Sequence, residues 1–592
     1  MGAIITPLKT VFGIDLRSLA AFRVMISLYI IADVVNRWEF LRVFYTDYGI
    51  LSRAAAMGYN HPARWSLLYL NGEPWVIHLI FAFTLFTALC LLIGYRTRLA
   101  TVLSFVMMAS ITNRNLILNQ GGDDLCCALL FWAIFLPLGA RFSVDDAMRP
   151  EHESQPVAVQ GPANPYFSIA SIAALLQVSY VYVFGAFLKT GDAWHKTHDA
   201  IYYALSAESV SSALGERLLD VEWLLQPMTQ YVYWLELLMP LYVFTPIFFV
   251  FFRTLGVAAL IALHLGFALF LSVGLFPLIS ISSLMLLIPG AVWNRFVLQP
   301  GWSLFYDRDC AFCRKTCLLL RSFCLPRETP IQPAQDDAVA GPILEANKSW
   351  VVITPSGETV LSWKAVRRVL KANPLTYPVG LLAALLPNQL GKRFYDYIGN
   401  SRGALGRVTA ILLPYQPAYG GASGVAIPIV GLHTVVIYLW NVRQAANSGH
   451  KLPDKTEYAA KFLHLNQRWD MFAPKPILLE GWFAFEGTLE NGLHVDLWTG
   501  KPGYPPVTAP DNLRDWNKDY RWRKYLSRIH KKAYSRQRPN LARYWCKQKW
   551  ADRSGETQAL ESVRMTYYGR WTQADGRPDR FKTYPLYNHS CN

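Results

Sequence analysis

Charged residues are scarce in this chain. Lys, Arg, Asp and Glu make up 17% of its 592 residues, whereas hydrophobic residues make up 53% and the mean hydropathy is +0.19. A soluble domain typically has about 25% charged residues, so the composition argues against a wholly soluble protein. The chain is also too long for a single hydrophobic core. We therefore expect a membrane-embedded protein with more than one domain.

Two kinds of signal are missing from the sequence. No zinc knuckle or RNP signature accompanies the net charge of +16, so we expect no nucleic-acid partner. Residues 1–14 contain one lysine and no small-residue cleavage site after an apolar core. We therefore expect no removable signal peptide, and we expect the first apolar helix to act as the targeting signal.

The positive charge lies outside the apolar half of the chain. Residues 1–300 hold 17 basic and 18 acidic side chains, residues 301–410 hold 14 and 8, and residues 411–592 hold 26 and 15. Such an excess beside a bilayer indicates contact with anionic headgroups or a solvated surface. We predict a membrane domain at 1–300, an α/β domain at 301–410, a linker and later span at 411–445, and a basic C-terminal domain at 446–592.

Nine apolar windows are long enough to cross about 30 Å of hydrocarbon. They are residues 17–35, 75–94, 99–112, 124–140, 168–188, 228–252, 254–273, 275–294 and 424–442. The predicted fold class is a multi-spanning α-helical membrane protein with about eight helices plus one later span. A Pro/Gly-rich linker at 414–423 precedes that later span.

Arginines in short loops indicate an orientation. Arg96, Arg98, Arg141, Arg149 and Arg253 fall on one side of the predicted helices, and the positive-inside rule makes that side cytoplasmic. The N-terminus and residues 301–410 would then be cytoplasmic, whereas the turn after residue 188 and the C-terminal domain would face outward. The long outward loop after the first window is also rich in arginine, and we interpret it as a packed lid.

Lys189 ends the apolar window 168–188 and is followed by a polar turn that contains Trp194. Loss of water at a membrane surface disfavours the charged form of an amine, and a neutral amine is a base. Lys189 is therefore a candidate catalytic residue. The alternative is a snorkelling lysine that marks the end of a span.

Two further ionisable residues lie inside apolar windows. His264 either makes an interhelical hydrogen bond that holds the bundle together, or handles a proton as a neutral imidazole. Glu236, on the preceding window, is a natural partner for either Lys189 or His264.

Asn113, Arg114 and Asn115 precede a Gly-Gly turn on the same outward side as Lys189. Polar residues at a helix end often serve as caps and turn-formers. Alternatively, the amides donate to a quinol or carbonyl oxygen while Arg114 offers a fork to a carboxylate. In that case this segment and the Lys189 turn would close one pocket.

Several motifs resemble one enzyme family. Lys189 and Trp194, within 184–205, resemble the active-site loop of the vitamin K-dependent gamma-carboxylase family. Residues 264–277 (HLGFALFLSVGLFP) resemble that family's H-x(5-6)-F-S-[IV]-G-[LM]-F segment. Residues 44–53 (FYTDYGILSR), 113–115 and 131–141 (FWAIFLPLGAR) resemble the bacterial branch, the horizontally transferred transmembrane (HTTM) domain, and 464–476 resemble the W-x-M-F-A-P segment that follows it.

The resemblance implies a chemistry and a location. Lys189 would deprotonate a quinol of the vitamin K or menaquinone type, and O2 and CO2 would be co-substrates. The substrate would be a protein or small molecule at the outer face of a bacterial inner membrane. The bilayer and its quinone would be the other partners.

Residues 303–325 have the order strand, CxxC, helix, which is typical of a thioredoxin-like domain. A helix N-terminus stabilises a thiolate, so we expect Cys310 to attack and the more buried Cys313 to resolve. A zinc site needs a second ligand pair, and Cys317 and Cys324 lie awkwardly on the same helix, so we expect no metal. The segment resembles the DCC family motif Y-D-G-x-C-x-x-C, with Arg308 in place of Gly.

The C-terminal domain has a mixed α+β pattern. Residues 480–497 alternate around a turn at Glu490-Asn-Gly492, which predicts a hairpin. Residues 511–552 are aromatic and basic, so they form either a surface-lying helix or a packed cover. Cys546 and Cys591 either pair or remain free.

Three functions remain open at this point. The leading hypothesis is a quinol-coupled oxidoreductase or carboxylase-like enzyme in which Lys189 is the general base. The alternatives are a relay of electrons between Cys310/Cys313 and membrane quinone, and a membrane scaffold without catalysis.

The orientation can be tested by cysteine labelling. Cysteine placed at Thr190 should react with an impermeant thiol reagent in intact cells, because the arginine distribution puts this turn outside. Cys310 should react only after permeabilisation. Labelling of Cys310 in intact cells would overturn the predicted orientation.

Overall fold

The structure is a computed structural model that describes residues 2–149, 165–296, 298–416, 426–446, 453–552, 554–573 and 579–591. The described chain forms a helical bundle as far as Trp293, then an α/β unit around the CxxC motif, one long helix, and a C-terminal α+β unit. Residues 417–423 of the predicted linker lie outside the described residues.

The bundle is built from helices of very different lengths. In chain order they are α1 Gly2–Phe12, α2 Leu16–Trp38, α3 Leu41–Tyr45, α4 Arg53–Tyr59, α5 Pro74–Ile93, α6 Thr97–Arg114, α7 Gly121–Ala133, α8 Val144–Ala147, α9 Ile169–Leu188, α10 Asp192–His195, α11 Ala200–Ser206, α12 Ala213–Leu218, α13 Glu222–Leu237, α14 Met239–Phe244, α15 Phe249–Phe270, α16 Phe276–Leu284 and α17 Gly290–Trp293. Single-turn 3₁₀ helices lie at Leu67–Tyr69, Leu116–Leu118 and Met285–Leu287.

Four of these helices are long and apolar enough to cross a membrane, namely α2, α5, α9 and α15. Local sequence fixes their ends. Ser168, for example, caps α9 by accepting a hydrogen bond from the Ser171 N–H (3.2 Å). Gly94 ends α5 in the left-handed conformation at φ 68°, which a residue with a side chain rarely adopts.

The expected count of about eight spans plus one is not confirmed, because several predicted windows do not form one long helix. The window at 124–140 corresponds to the 13-residue α7, and the window at 228–252 breaks between α13 and α14, just before Pro240. The window at 275–294 contains the nine-residue α16 and a 3₁₀ turn. The later window forms α24, Ala426–Ala445, which packs along α9.

Two of the arginines used to infer the orientation are not loop charges. Arg149 is buried, and Arg253 lies inside α15, where it is 2% exposed. The Arg253 guanidinium donates hydrogen bonds to the Leu287 and Val11 carbonyls at 2.8 and 2.7 Å. Arg253 thus joins α15 to two other parts of the bundle, and neither arginine serves as a loop charge in assigning a cytoplasmic face.

The CxxC motif lies in a small α/β unit. Its strands are β1 Ser303–Tyr306, β2 Ile331–Pro333, β3 Val351–Ile353 and β4 Thr359–Leu361, and its helices are α18 Ala311–Cys324, α19 Ala340–Asn347, α20 Ser362–Leu370, α21 Tyr377–Leu385, α22 Asn388–Asn400 and α23 Arg402–Leu412. The sheet order is β2-β1-β3-β4, in which β1 is parallel to β2 and antiparallel to β3. The predicted strand at 303–306 and the helix after the motif are confirmed.

The C-terminal unit packs helices against an antiparallel sheet. Its helices are α25 Asp454–Phe462, α26 Leu513–Trp516, α27 Tyr520–Ile529 and α28 Arg538–Cys546, and its strands are β5 Leu479–Leu489, β6 His494–Asp496, β7 Trp550–Ala551, β8 Thr557–Gln558, β9 Leu560–Trp571 and β10 Arg580–Ser590, with a 3₁₀ helix at Lys532–Gln537. The large sheet has the order β10-β9-β5-β6. The predicted hairpin is confirmed, since β5 pairs with β6 across a turn in which Gly492 has φ 76°. Cys546 and Cys591 form a disulfide.

The two attached units contact opposite ends of α6. Just before α6 begins, the Tyr95 hydroxyl donates to the Leu412 carbonyl of α23 at 2.9 Å. Just after α6 ends, Arg528 of α27 donates to the Leu116 and Ile117 carbonyls, both at 2.8 Å. The CxxC unit and the C-terminal unit are therefore separated by the length of an 18-residue helix.

A buried group of four charges joins the C-terminal unit to the bundle. Arg37 contacts Asp33 at 2.7 Å and Asp123 at 2.5 Å, and Arg521 of α27 contacts the same two carboxylates, Asp123 at 3.1 Å. All four side chains are at most 4% exposed. Two positive and two negative charges cancel, which makes their burial tolerable. Residues 511–552 thus form a packed cover.

Removing Arg521 should release this cover. The Arg521→Met variant leaves Asp33 and Asp123 sharing Arg37 alone, and breaking a buried pair costs about 3–5 kcal/mol. We expect a large loss of thermal stability in detergent, with faster proteolysis of residues 511–552. Arg536→Met, at an exposed site in the same unit, is the matched control and should behave like wild type. Equal stability of the two variants would refute the structural role of the four charges.

Candidate functional site

Lys189 lies at the C-terminal end of α9 and forms a buried pair with Glu236 of α13. The lysine Nζ donates a hydrogen bond to Glu236 Oε2, and the two residues are 5% and 7% exposed. Of the two partners expected for Glu236, Lys189 and His264, the structure pairs it with Lys189. A snorkelling lysine would expose its amine, and this one does not.

The turn after Lys189 folds back over the amine. The Trp194 ring centroid lies 5.0 Å from Lys189 Nζ, within range of a cation–π contact. His195 Nε2 donates to the Lys189 carbonyl at 2.5 Å, which closes the turn. The structure thus brings together Lys189, Trp194 and Glu236, three of the predicted site residues.

His264 is also buried, but its partner is a tyrosine. Its Nε2 is hydrogen-bonded to the Tyr182 hydroxyl at 2.8 Å, and its Nδ1 has no hydrogen-bond partner among the described residues. Tyr182 precedes Lys189 by two helical turns on the same face of α9. His264 therefore joins α15 to the helix that carries Lys189, as the interhelical interpretation expects, without contacting Lys189 itself.

A strap from the C-terminal part of the chain, residues 464–476, covers the Lys189 turn. The Trp194 indole donates to the Phe472 carbonyl at 3.0 Å, and the Gly191 N–H donates to the Pro474 carbonyl at 2.9 Å. A Cβ placed at Gly185 would lie 3.7 Å from both Glu236 Oε2 and the Trp469 carbonyl oxygen. The strap backbone therefore reaches the Lys189–Glu236 pair.

Two buried glutamines fix the strap, and the sequence reasoning missed both. Gln177 of α9 and Gln467 exchange amide hydrogen bonds at 2.9 and 2.6 Å. The Trp440 indole of α24 donates to the Gln467 carbonyl at 3.0 Å. Gln177 lies inside the apolar window 168–188, where an amide is costly without a hydrogen-bond partner. This cost could have predicted that Gln177 has a buried polar partner.

His464 begins the strap as a neutral residue. It is 2% exposed, and burial lowers the pKa of its imidazole to about 3. The ring therefore adds no charge beside the bundle at physiological pH.

Asn113, Arg114 and Asn115 hold a neighbouring loop. Asn113 donates to the Trp65 carbonyl at 2.7 Å, Arg114 to the Leu51 carbonyl at 2.7 Å, and Asn115 to the Phe44 carbonyl at 3.1 Å. All three are buried. Within the described ranges no hydrogen bond joins them to Lys189. The two segments therefore do not close one pocket by direct hydrogen bonds, because Asn113, Asn115 and one nitrogen of Arg114 donate to loop carbonyls instead.

Cys310 and Cys313 form a disulfide at the start of α18. Cys310 caps the helix, and its Sγ accepts the Cys313 N–H at 3.2 Å. The expected order of burial is reversed, because Cys310 is 7% exposed whereas Cys313 is partly exposed. The cap turns Cys310 inward. Labelling of Cys310 therefore requires prior reduction.

The remaining thiols of this unit are structural. Cys317 and Cys324 are buried and free, and burial raises their pKa values to about 12 and 11. The described residues contain no group of three or more His, Cys, Asp or Glu side chains that could hold a metal ion.

An apolar groove of about 560 Å³ lies between α9, α14 and α24. Its lining includes Tyr180, Phe184, Phe187, Pro240, Phe244 and Tyr438. Phe187 is two residues from Lys189, and Pro240 is four residues from Glu236. Neither member of the buried pair lines the groove in the described structure, so the groove runs beside the pair.

No protein-family model, curated protein or solved structure matches this chain. The resemblance to gamma-carboxylases, HTTM domains and DCC proteins therefore rests on the sequence motifs alone.

A methyl group at Gly191 should loosen the strap. The added Cβ would lie 2.6 Å from the Pro474 carbonyl oxygen and 3.2 Å from Lys475 Cβ, so the backbone must shift. We expect Gly191→Ala to lose the Gly191–Pro474 hydrogen bond, worth about 1 kcal/mol or roughly fivefold in local opening. Hydrogen exchange across 189–196 and 469–476 should accelerate accordingly.

Gly58→Ala is the matched control, because a Cβ at that position meets nothing within 4 Å. Unchanged exchange in Gly191→Ala would show that the strap does not depend on this contact.

Proposed function

We propose that the Lys189–Glu236 pair is the proton-transfer centre of a membrane-embedded, quinol-coupled oxidoreductase or carboxylase-like enzyme. The observation that carries this proposal is an amine and a carboxylate buried together at the end of a candidate membrane span, beneath Trp194. Buried ionisable pairs of this kind are expensive and commonly mark functional sites.

The pair can exchange one proton between its members. Taking two charges out of water costs several kcal/mol per ion, and transfer of the proton from Lys189 Nζ to Glu236 removes both charges at once. The resulting neutral amine is a base. Nζ then accepts a proton from a donor brought against it, Glu236 stays protonated, and the deprotonated donor balances the charge of the new ammonium.

The surroundings fit the apolar part of a quinol. The groove beside the pair is lined mainly by aromatic and aliphatic side chains and would hold an isoprenoid-like tail. When bound, a quinol would supply acidic hydroxyl groups and two electrons. Lys189 and Glu236 would hold and move the proton, and Trp194 with the strap would keep water from the amine. O2 and CO2 as co-substrates remain part of the proposal through the family resemblance.

His264 and Tyr182 have a supporting role in this proposal. Their hydrogen bond fixes α9 against α15, which holds the end of α9 and hence Lys189 in position. The unpartnered Nδ1 of His264 is a polar atom available to a second proton donor or to a quinone oxygen.

A thiol relay is the second candidate, supported by the Cys310–Cys313 disulfide at a helix N-terminus. The order of a strand, a CxxC motif at the start of α18 and a mixed four-stranded sheet supports a thioredoxin-like interpretation of this unit. A reduced pair would pass two electrons and two protons to a quinone and return to the disulfide. This unit and the C-terminal unit contact opposite ends of α6, and the strap of the C-terminal part covers the Lys189 turn. Quinone would therefore have to carry electrons from the end of α6 near the CxxC unit to the end near Lys189.

Lys189→Arg separates catalysis from anchoring. Arginine keeps the charge and can pair with Glu236, but it cannot act as a base near neutral pH. We expect normal insertion and folding with a loss of about 10²–10⁴-fold in quinol-dependent activity, measured as quinol oxidation or O2 consumption. Quinol binding is measured alongside turnover.

Lys196→Arg is the matched control. Lys196 lies on the same turn, is 74% exposed at its side chain, and pairs with Asp192 at 3.0 Å. It should retain wild-type activity. Wild-type turnover from Lys189→Arg would leave the scaffold as the better description of the bundle.

A further inference from the structure

Three helices of the CxxC unit leave a large apolar surface uncovered. Leu382 and Leu385 of α21 are 65% and 79% exposed, and Tyr397 of α22 is 71% exposed. On α22 the exposed Leu390, Phe394 and Tyr397 follow the i, i+4, i+7 spacing of one helix face. The structure describes no buried residue in α23. We call the exposed apolar side chains of α21–α23 the apolar face.

Basic residues are concentrated in the same segment. Residues 362–412 hold eight Lys or Arg and one acidic residue, whereas residues 301–361 hold six and seven. Four of the eight, Lys392, Arg393, Arg402 and Arg407, lie on α22 and α23 with one acidic residue, Asp396, so the helices that carry the apolar face have a positive excess of their own. Lys392 and Arg393 are exposed on α22, beside Phe394. Apolar side chains interleaved with basic ones are typical of helices that lie in the interface of an anionic membrane.

The apolar face is attached to the end of a candidate membrane span. The Leu412 carbonyl at the end of α23 accepts a hydrogen bond from Tyr95, which directly follows α5 and its cap Gly94. Leu89 and Ile93, in the last turns of α5, are about half exposed, as lipid-facing residues would be. The end of α23 therefore lies at the level where the apolar surface of α5 ends.

We propose that α21–α23 form an interfacial membrane-binding surface, with the apolar face inserted among the lipid acyl chains and the basic residues against anionic headgroups. A second copy of the chain could also cover an apolar face. The charge favours the membrane, because two copies would bring two sets of excess positive charge together. This inference is independent of the function proposed for Lys189.

The test uses the full chain in lipid nanodiscs that contain a phospholipid with a photoactivatable diazirine in its acyl chain. Labelled residues are mapped by mass spectrometry. We expect labels within 377–397, at levels comparable to α5, and an increase of about twofold or more when phosphatidylglycerol is added to phosphatidylcholine. The variant Leu382→Asp/Leu385→Asp should lose labelling of 377–397 and keep labelling of α5, which reports correct folding of the bundle.

Two matched controls sharpen the result. Val339→Asp alters another exposed hydrophobic residue of the same unit and should leave labelling of 377–397 unchanged. Lys392→Gln/Arg393→Gln should abolish the phosphatidylglycerol-dependent increase, whereas Lys348→Gln, at an exposed site of the same unit outside α21–α23, should preserve it.

The contradicting outcomes are equally specific. Absence of label from 377–397 in wild-type protein while α5 is labelled would overturn the proposal. So would a dimer in mass photometry that Leu382→Asp/Leu385→Asp splits into monomers, since the apolar face would then bind a second copy.

Discussion

The buried group formed by Asp33, Arg37, Asp123 and Arg521 is the constraint on which the rest of the architecture depends. Charges can be placed inside an apolar bundle only when each is matched. Within the bundle, Asp33 and Asp123 pair with only one positive charge, Arg37, and Arg521 of the C-terminal unit supplies the second. The two carboxylates of the bundle therefore determine where α27 packs. Because the strap precedes α27 in the chain, this packing also keeps the strap close to the Lys189 turn.

The candidate site is also a buried set of opposite charges that neutralise each other, with two members instead of four. Lys189 and Glu236 come from two helices and neutralise each other, while Trp194 and the strap shield them from water. The Gln177–Gln467 amide pair satisfies the polar groups that hold the strap in place.

Sequence reasoning succeeded where the signal was local or where a charge demanded a partner. The strand at 303–306, the helix after the CxxC motif and the turn at Gly492 follow from short patterns. Glu236 was identified as a partner of Lys189 or His264 because an unpaired carboxylate inside an apolar window is too costly. The structure shows which of the two it takes.

The failures concern partners far away in sequence. Asn113, Arg114 and Asn115 bind carbonyls of residues 44–65, and Gln467 contacts Gln177 across 290 positions, which no local pattern reveals. Hydropathy windows also count apolar length without regard to breaks, so the window at 228–252 predicted one span where the chain forms part of α13, the whole of α14 and the start of α15. The inward turn of Cys310 depends on its capping geometry and is invisible to motif spacing.

The proposed function requires a quinol within reach of the Lys189–Glu236 pair. The most direct measurement is an electron cryomicroscopy map of the full chain in nanodiscs that contain menaquinone. We expect density for the quinone tail in the groove between α9, α14 and α24, and for its ring within hydrogen-bonding distance of Lys189 Nζ or Glu236. A quinone ring bound elsewhere, or a groove filled only by phospholipid at saturating quinone, would contradict the proposed function.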